Sequence, residues 1–182
     1  ADKLGVKVRY VTYPRPNELA DAADADEWDI GLIGAESIDV DVSQDGADVV
    51  TVNQPAGNPV DAQAALLVTG GGATGDALIV NAPTGPAAQT VRVDEDSIDV
   101  TGQTPVTFVN MDTITVNTDT GDDIVTVAVG AGLVGVTANV NTGTGTDTVV
   151  LEGAAADEEI TLSDNTILVT PAGATVPTTI NL

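Results

Sequence analysis

The side chains with the clearest chemical potential in this chain are carboxylates that open short β-branched segments. An acid followed by an x-apolar-x-apolar pattern recurs seven times, at positions 48, 76, 96, 112, 123, 147 and 158, always as aspartate except for Glu158. The carboxylates are densest beside glycine turns, at Asp119, Asp122, Asp123 and Asp147. Calcium takes six to eight oxygens from carboxylates and backbone carbonyls. These four aspartates are therefore the candidate metal ligands, and calcium is the predicted ion.

The same acids have a second interpretation, which needs no metal. An aspartate that precedes a strand often accepts hydrogen bonds from the backbone of its own turn. The strict nine-residue tandem that would build a continuous calcium ladder is also absent from the sequence. The sequence leaves both interpretations open: a calcium-stabilised protein, or aspartates that act only as turn residues.

Composition excludes several classes of enzyme. The chain has no histidine and no cysteine, which removes the commonest general base and the usual zinc ligands. Four serines without any histidine exclude a Ser-His-Asp hydrolase. A glycosidase needs only a carboxylate pair, but such pairs usually lie in clefts with aromatic platforms, and aromatic residues are 2% of this chain. We predict no catalytic residues and a protein that is not an enzyme.

Charge narrows the choice of partners. The chain carries 5 Lys and Arg against 28 Asp and Glu, for a formal net charge of −23. Binding to nucleic acid through phosphates needs a basic stripe and is not expected. The uncharged stretch 124–146 is long enough to span a bilayer, yet it alternates like β-strands, so we predict no membrane span. Such acidity suits an extracellular, high-salt or calcium-rich setting; a highly soluble surface is the alternative.

The spacing of the acid-led segments predicts the fold. Side chains alternate between the two faces of a strand, so each segment buries its two apolar positions. In the C-terminal half the segments recur every 11 to 12 residues, once a degenerate copy without the acid at 134–140 is included. Two such strands make a coil of about 23 residues. We predict an all-β protein with a parallel β-solenoid over residues 37–182; a β-sandwich is the alternative. A short helical turn is a further option at 61–67.

Residues 1–36 differ from the rest in composition. They hold four of the five basic residues, both tyrosines and the only tryptophan. Strand-like runs at 6–13 and 28–34 flank a helical pattern that Asn17 can cap, which predicts a βαβ segment. The segment resembles type 2 periplasmic solute-binding proteins at 3–8, 17–22 and 28–36 (KLGVKV, NELADA and WDIGLIGAE). That resemblance implies an amino-acid receptor; a cap on the β-repeats and an artificial fusion are the alternatives.

Residues from about 45 to 170 resemble bacterial β-strand-repeat surface proteins, which are related to hemolysin-type calcium-binding repeats. Stretches 71–78 and 142–149 (GGATGDAL and TGTGTDTV) approach the pattern Gly-Gly-x-Gly-x-Asp-x-apolar. The resemblance implies an extracellular or cell-surface location and a role in adhesion or matrix building. We therefore predict a structural or adhesive protein with cell-surface or matrix partners, or one that self-associates. The terminal segment 175–182 is expected either to cover its own chain or to pair with a neighbouring molecule.

Overall fold

The computed structural model describes residues 37–43, 46–54, 65–72, 74–154 and 157–182. The predicted βαβ segment at 1–36 lies outside the described residues. The described part is all-β, as predicted: it contains fourteen strands and a single 3₁₀ turn at Ala131–Leu133. None of its helices is long and apolar enough to span a bilayer.

The strands form two mixed sheets of seven strands each. The first sheet has the spatial order β1-β3-β7-β6-β5-β9-β11. Its strands are β1 (Ser37–Asp41), β3 (Ala65–Thr69), β5 (Thr90–Val93), β6 (Ser97–Val100), β7 (Val106–Val109), β9 (Ile124–Ala128) and β11 (Thr148–Glu152). The second sheet has the order β12-β13-β14-β10-β8-β4-β2. Its strands are β2 (Val49–Asn53), β4 (Ala77–Asn81), β8 (Thr113–Asn117), β10 (Thr137–Asn141), β12 (Glu158–Ser163), β13 (Thr166–Pro171) and β14 (Thr178–Asn181).

The chain alternates between the two sheets over much of its length, and most returns lay a new strand parallel to an earlier one. Thr113 of β8 lies beside Thr137 of β10, and Ile124 of β9 lies beside Thr148 of β11. Both pairs are 24 residues apart, the same separation as the hydrogen-bonded pair Asp123 and Asp147. Eight of the twelve strand pairs in the described residues are parallel. Neighbours in a sheet are thus mostly strands from successive passes of the chain.

Two antiparallel groups interrupt this pattern. β5, β6 and β7 form a meander within the first sheet, which accounts for the longer separation of 36 residues between Asp76 and Asp112. β12, β13 and β14 form a second antiparallel group at one end of the second sheet. β14 lies between β10 and β13. Most of the terminal segment 175–182 therefore pairs within its own chain, the first of the two expected outcomes.

The core consists almost entirely of aliphatic side chains in register. Leu78, Ile114 and Ala138 are buried neighbours on β4, β8 and β10, and the valines at 80, 116 and 140 repeat the arrangement two residues later. The buried positions alternate with partly exposed ones along each of these strands. This is the pattern expected of a sheet that packs one face against the core.

The acid-led segments predicted the strands well. Each of the six aspartates at 48, 76, 96, 112, 123 and 147 immediately precedes a strand, and Glu158 begins β12. The degenerate copy at 134–140 is displaced, because 134–136 belong to a turn and β10 begins at Thr137. The optional helical turn at 61–67 is wrong for residues 65–67. These belong to β3, where pairing with β1 and β7 outweighs the helical preference of Ala and Leu.

Candidate functional site

Two turns that contain the predicted metal ligands stack directly on each other. The turn at 118–123 connects β8 to β9, and the turn at 142–147 connects β10 to β11. Thr120 and Thr144 form a parallel bridge. The N–H of Gly121 donates to the carbonyl of Thr144 at 3.0 Å, and the N–H of Thr144 donates to the carbonyl of Asp119 at 3.1 Å. A third turn, 82–89, lies on the other side of 118–123, where the Thr120 hydroxyl donates to the carbonyl of Gly85 at 2.9 Å.

The glycines of Thr142-Gly143-Thr144-Gly145 are required by this close approach. Gly143 has φ +75°, and a Cβ there would collide with the carbonyl oxygen of Asp119. A Cβ at Gly145 would collide with the carbonyl oxygen of Gly121. Only glycine lets two backbones approach this closely in a left-handed conformation. The Gly-x-Gly spacing therefore belongs to the contact between turns and does not by itself indicate an ion site.

Two of the four predicted ligands bind the turn at 82–89. Asp119 accepts a hydrogen bond at Oδ2 from the N–H of Gly85, at 3.1 Å. Asp123 is fully buried and accepts at Oδ1 from the N–H of Gln89, at 2.7 Å. Both donors are backbone amides from the preceding pass of the chain, 34 residues earlier. These two carboxylates fasten one turn to its neighbour.

The other two predicted ligands connect 118–123 to 142–147. Asp147 accepts at Oδ1 from the N–H of Asp123, at 3.0 Å. Asp122 accepts at Oδ1 from the N–H of Thr146, at 2.8 Å. All four candidates therefore lie in two stacked turns, but each carboxylate holds a different backbone amide. The structure brings the four residues into one region without converging them on one point.

The same chemistry recurs at the turns that lead into the second sheet. Asp76 is 0% exposed, and its two oxygens accept from the N–H of Asp48 at 3.1 Å and from the N–H of Gly71 at 2.7 Å. Oδ2 of Asp112 accepts from the N–H groups of Gly75 and Asp76, at 2.7 and 3.0 Å. We call the six aspartates with such contacts the carboxylate ladder: Asp76, Asp112, Asp119, Asp122, Asp123 and Asp147.

The carboxylate ladder corrects one detail of the interpretation without metal. That interpretation had each aspartate bonding the backbone of its own turn. Asp41 does so, since it accepts from the N–H of Ser43 at 2.9 Å, and the side-chain and backbone hydrogen bonds of Ser43 lower the Asp41 pKa. Most ladder contacts instead join residues 24 to 37 positions apart. Sequence reasoning identified the type of bond but not the partner, because the partner belongs to another pass of the chain.

A row of asparagines in the second sheet was not predicted. Asn53, Asn81, Asn117 and Asn141 are the last residues of β2, β4, β8 and β10, and they lie in register. Each Nδ2 donates to the Oδ1 of the preceding member, at 2.6, 2.6 and 2.7 Å. We call these four residues the asparagine ladder. The signal was present in the sequence, since Val-Asn closes each of these four strands.

The sole base after residue 15, Arg92, lies on β5 and crosses a strand of the first sheet. Its Nη1 donates to Oε2 of Glu152 on β11 at 2.7 Å, and its Nε donates to Asp94 at 2.9 Å. The contact with Glu152 spans β9, which lies between β5 and β11. The hydrogen bond to Glu152 and then the one to Asp94 raise the pKa of Arg92. Arg92 thus ties the edge strand β11 to the sheet.

A calcium ion would need several oxygens from the predicted ligands at one point. Oδ2 of Asp123 is buried and has no hydrogen-bond partner in the described residues, so one oxygen is free to bind a cation. Calcium needs six to eight oxygens, and the described residues contain no group of three or more acidic side chains close enough to share an ion. Carboxylates of the described residues therefore do not form a calcium site by themselves. Calcium binding by Asp119, Asp122, Asp123 and Asp147 stays a prediction.

Comparisons with known proteins provide no neighbour. No protein-family model, curated protein or solved structure gives a significant match to this chain.

Substituting asparagine for the two buried aspartates should have opposite consequences. In Asp76→Asn the new NH₂ group faces an amide that needs an acceptor, so we expect a loss of about 1–3 kcal/mol of unfolding free energy. In Asp123→Asn the new oxygen still accepts from Gln89 and a buried charge disappears, while the NH₂ group takes the place of an oxygen that had no partner. We expect that variant to equal or exceed the wild type. Denaturant unfolding measures both, and Asp39→Asn is the exposed control.

Repeating these measurements with calcium and with chelator tests the metal. A cation held by Asp123 would raise wild-type stability by about 2.7 kcal/mol at a hundredfold excess over its dissociation constant, and Asp123→Asn would lose that gain. If the wild type is equally stable in calcium and in chelator, the protein does not bind calcium.

The asparagine ladder predicts a difference between its central and terminal members. Asn117 donates to Asn81 and accepts from Asn141, whereas Asn53 makes one ladder bond only. A hydrogen bond contributes about 0.5–1.5 kcal/mol. We expect Asn117→Ala to lose about twice the unfolding free energy that Asn53→Ala loses, measured by chemical denaturation. Equal losses would mean that the side-chain bonds between neighbouring asparagines contribute little.

Proposed function

We propose that the chain is a non-enzymatic structural or adhesive protein that works outside the cell or on its surface. We further propose that residues 37–182 form a parallel β-solenoid, in which one coil comprises a strand from each sheet and the turns between them. The observation that carries the proposal is the stacking of equivalent residues on successive passes, aliphatic on aliphatic, asparagine on asparagine and turn on turn.

The strand order supports a solenoid over a sandwich. Along most of the chain, consecutive strands lie in opposite sheets, while parallel neighbours within a sheet are 24 to 42 residues apart. An antiparallel sandwich pairs strands that are joined by hairpins or Greek-key connections. In a solenoid each coil contacts only the coils on either side, which is the arrangement seen in repeat proteins. The antiparallel groups β5–β7 and β12–β14 are insertions into this plan.

The chemistry of the side chains supports a structural role. The carboxylates that offered the best candidate for ion or acid-base chemistry hold backbone amides of neighbouring turns. The asparagines hold each other. Three sets of bonds, from the backbone, the carboxylates and the carboxamides, therefore run along the stacking direction. These bonds resist separation of neighbouring coils, which suits the proposed structural or adhesive role.

The net charge of −23 supports a location outside the cell. A negatively charged surface stays hydrated, and copies of the protein repel each other at low ionic strength. Because this repulsion is screened by salt, association between copies is favoured in saline surroundings. Calcium enters the proposal only through the free oxygen of Asp123, which the substitution above tests.

The solenoid predicts which deletions the fold tolerates. Removing residues 124–147 takes out one 24-residue repeat and joins Asp123 to β11, which then occupies the place of β9 beside β5. We expect this variant to unfold cooperatively with reduced stability. Removing only 124–135 sends β10 into the wrong sheet, and we expect no folded protein. Circular dichroism and denaturant unfolding measure both; folding of the half-repeat deletion alone would contradict the solenoid.

The proposed location and role are tested together in the source cells. Antibodies raised against the chain should label intact cells or the extracellular matrix without permeabilisation, with an antibody to a cytoplasmic protein as control. Loss of the gene should weaken attachment or matrix cohesion. The whole-repeat deletion should restore it, since a structural role needs the fold and no single site. Labelling that requires permeabilisation would refute the proposal.

A further inference from the structure

One edge of the second sheet exposes apolar side chains that belong to its core face. β12 is the outermost strand and pairs only with β13 among the described residues. Ile160 lies opposite Val169, which is 0% exposed, and Leu162 lies opposite Ile167, which packs against the core. Paired residues share a face of the sheet. Yet Ile160 is 47% exposed and Leu162 is 73% exposed.

The other edge strands do not show this exposure. The core-face residues of β1, β2 and β11 are partly buried and pack against the core, namely Val40, Val50, Val52, Val149 and Leu151. β11 is in addition held by the ion pair from Arg92. β1 carries the exposed acids Asp39 and Asp41 along its length, a common protection of sheet edges. β12 is therefore the edge that offers both unpaired backbone groups and uncovered apolar side chains.

The sequence of β12 is complementary to itself in one antiparallel register. When two copies pair about Thr161, Ile160 of each copy lies opposite Leu162 of the other, on the core face. On the opposite face Glu159 lies opposite Ser163, and the two threonines meet on the axis. Glu159 is not placed opposite an acid, and Glu158 lies opposite Asp164, which belongs to the turn after β12. A parallel in-register pair would instead place Glu158 and Glu159 opposite their own copies, and like charges in that position are destabilising.

From this complementarity we propose that β12 pairs antiparallel with β12 of a second copy, so that the second sheets of the two molecules become continuous. The proposal deepens the self-association included in the proposed function and rests on it. The terminal segment does not compete for this edge, because β14 is already paired on both sides by β10 and β13. The two-fold arrangement closes on itself and yields a dimer and not a fibre.

Charge sets the conditions for the dimer. Each copy carries a formal charge of −23, so two copies repel at long range, and this repulsion is screened within about 8–10 Å at physiological salt. We therefore expect the dissociation constant to fall as the salt concentration rises. Sedimentation velocity over a range of protein and salt concentrations measures it. A chain that stays monomeric at all concentrations overturns the inference. That result is expected if another part of the same chain covers β12.

Point variants test the strand itself. Leu162→Glu adds a charge where an apolar contact is proposed, and we expect dimerisation to weaken by at least about tenfold, or about 1.4 kcal/mol. Val176→Glu is the matched control, because Val176 is also exposed and lies outside β12. Thr161→Cys is the second test, since the chain contains no cysteine. Directly opposed strand residues lie within the Cα separation of a disulfide, so Thr161→Cys should cross-link on oxidation and Val176→Cys should not.

The outcomes separate this inference from the proposed function. Association that is unaffected by Leu162→Glu and gives no cross-link through Thr161→Cys would overturn the β12 dimer while leaving a self-associating structural protein in place. Absence of the chain from the cell surface would instead refute the proposed function, whatever the cysteine variant shows. Unfolding curves of each variant confirm that the exposed substitutions leave the fold intact.

Discussion

The structure depends on how the turns satisfy their backbone amides. When strands from successive passes lie parallel, the turns between them also lie on one another, and N–H groups that leave the sheet need acceptors nearby. A buried amide without a partner costs about 1–3 kcal/mol. The carboxylates of Asp76, Asp112 and Asp123 supply those acceptors across the gap between turns. An acid before a strand thus supports stacking at these turns, and part of the acidity of the chain follows from it.

This requirement explains which parts of the fold the sequence predicts. The acid and the alternating apolar positions are local signals, so the strands that follow Asp48, Asp76, Asp112, Asp123 and Asp147 were all anticipated. Identity of the pairing partner is not a local property. The meander of β5 to β7, the placement of β3 between β1 and β7, and the amide that each carboxylate binds are determined by contacts between distant segments. The spacing of the acid-led segments predicted the 24-residue recurrence, but it did not predict the antiparallel strands or the placement of β3.

The candidate site shows the same division. Sequence reasoning located four aspartates in one region, and they do lie in two stacked turns. Density of carboxylates along the chain does not determine convergence in space, however. The aspartate side chains of stacked turns point toward the backbone of the neighbouring turn, so they are spread along the stack. Each carboxylate accepts hydrogen bonds from backbone amides there, and the carboxylates do not meet at one point. Asp123 differs, since burial leaves one of its oxygens without a donor.

The two ladders differ for a reason that follows from hydrogen-bonding capacity. A carboxylate only accepts, so aspartates cannot bond each other in a column and need donors, which the backbone supplies at the start of a strand. A carboxamide both donates and accepts, so asparagines can stack on themselves at the end of a strand, as Asn81 and Asn117 do. The strands of the second sheet that have a parallel partner, β2, β4, β8, β10 and β14, all end on asparagine, whereas β9 and β11 of the first sheet end on Ala128 and Glu152. Among the strands with parallel partners, a closing asparagine therefore marks the second sheet, a signal that the acid at the start of a strand does not carry.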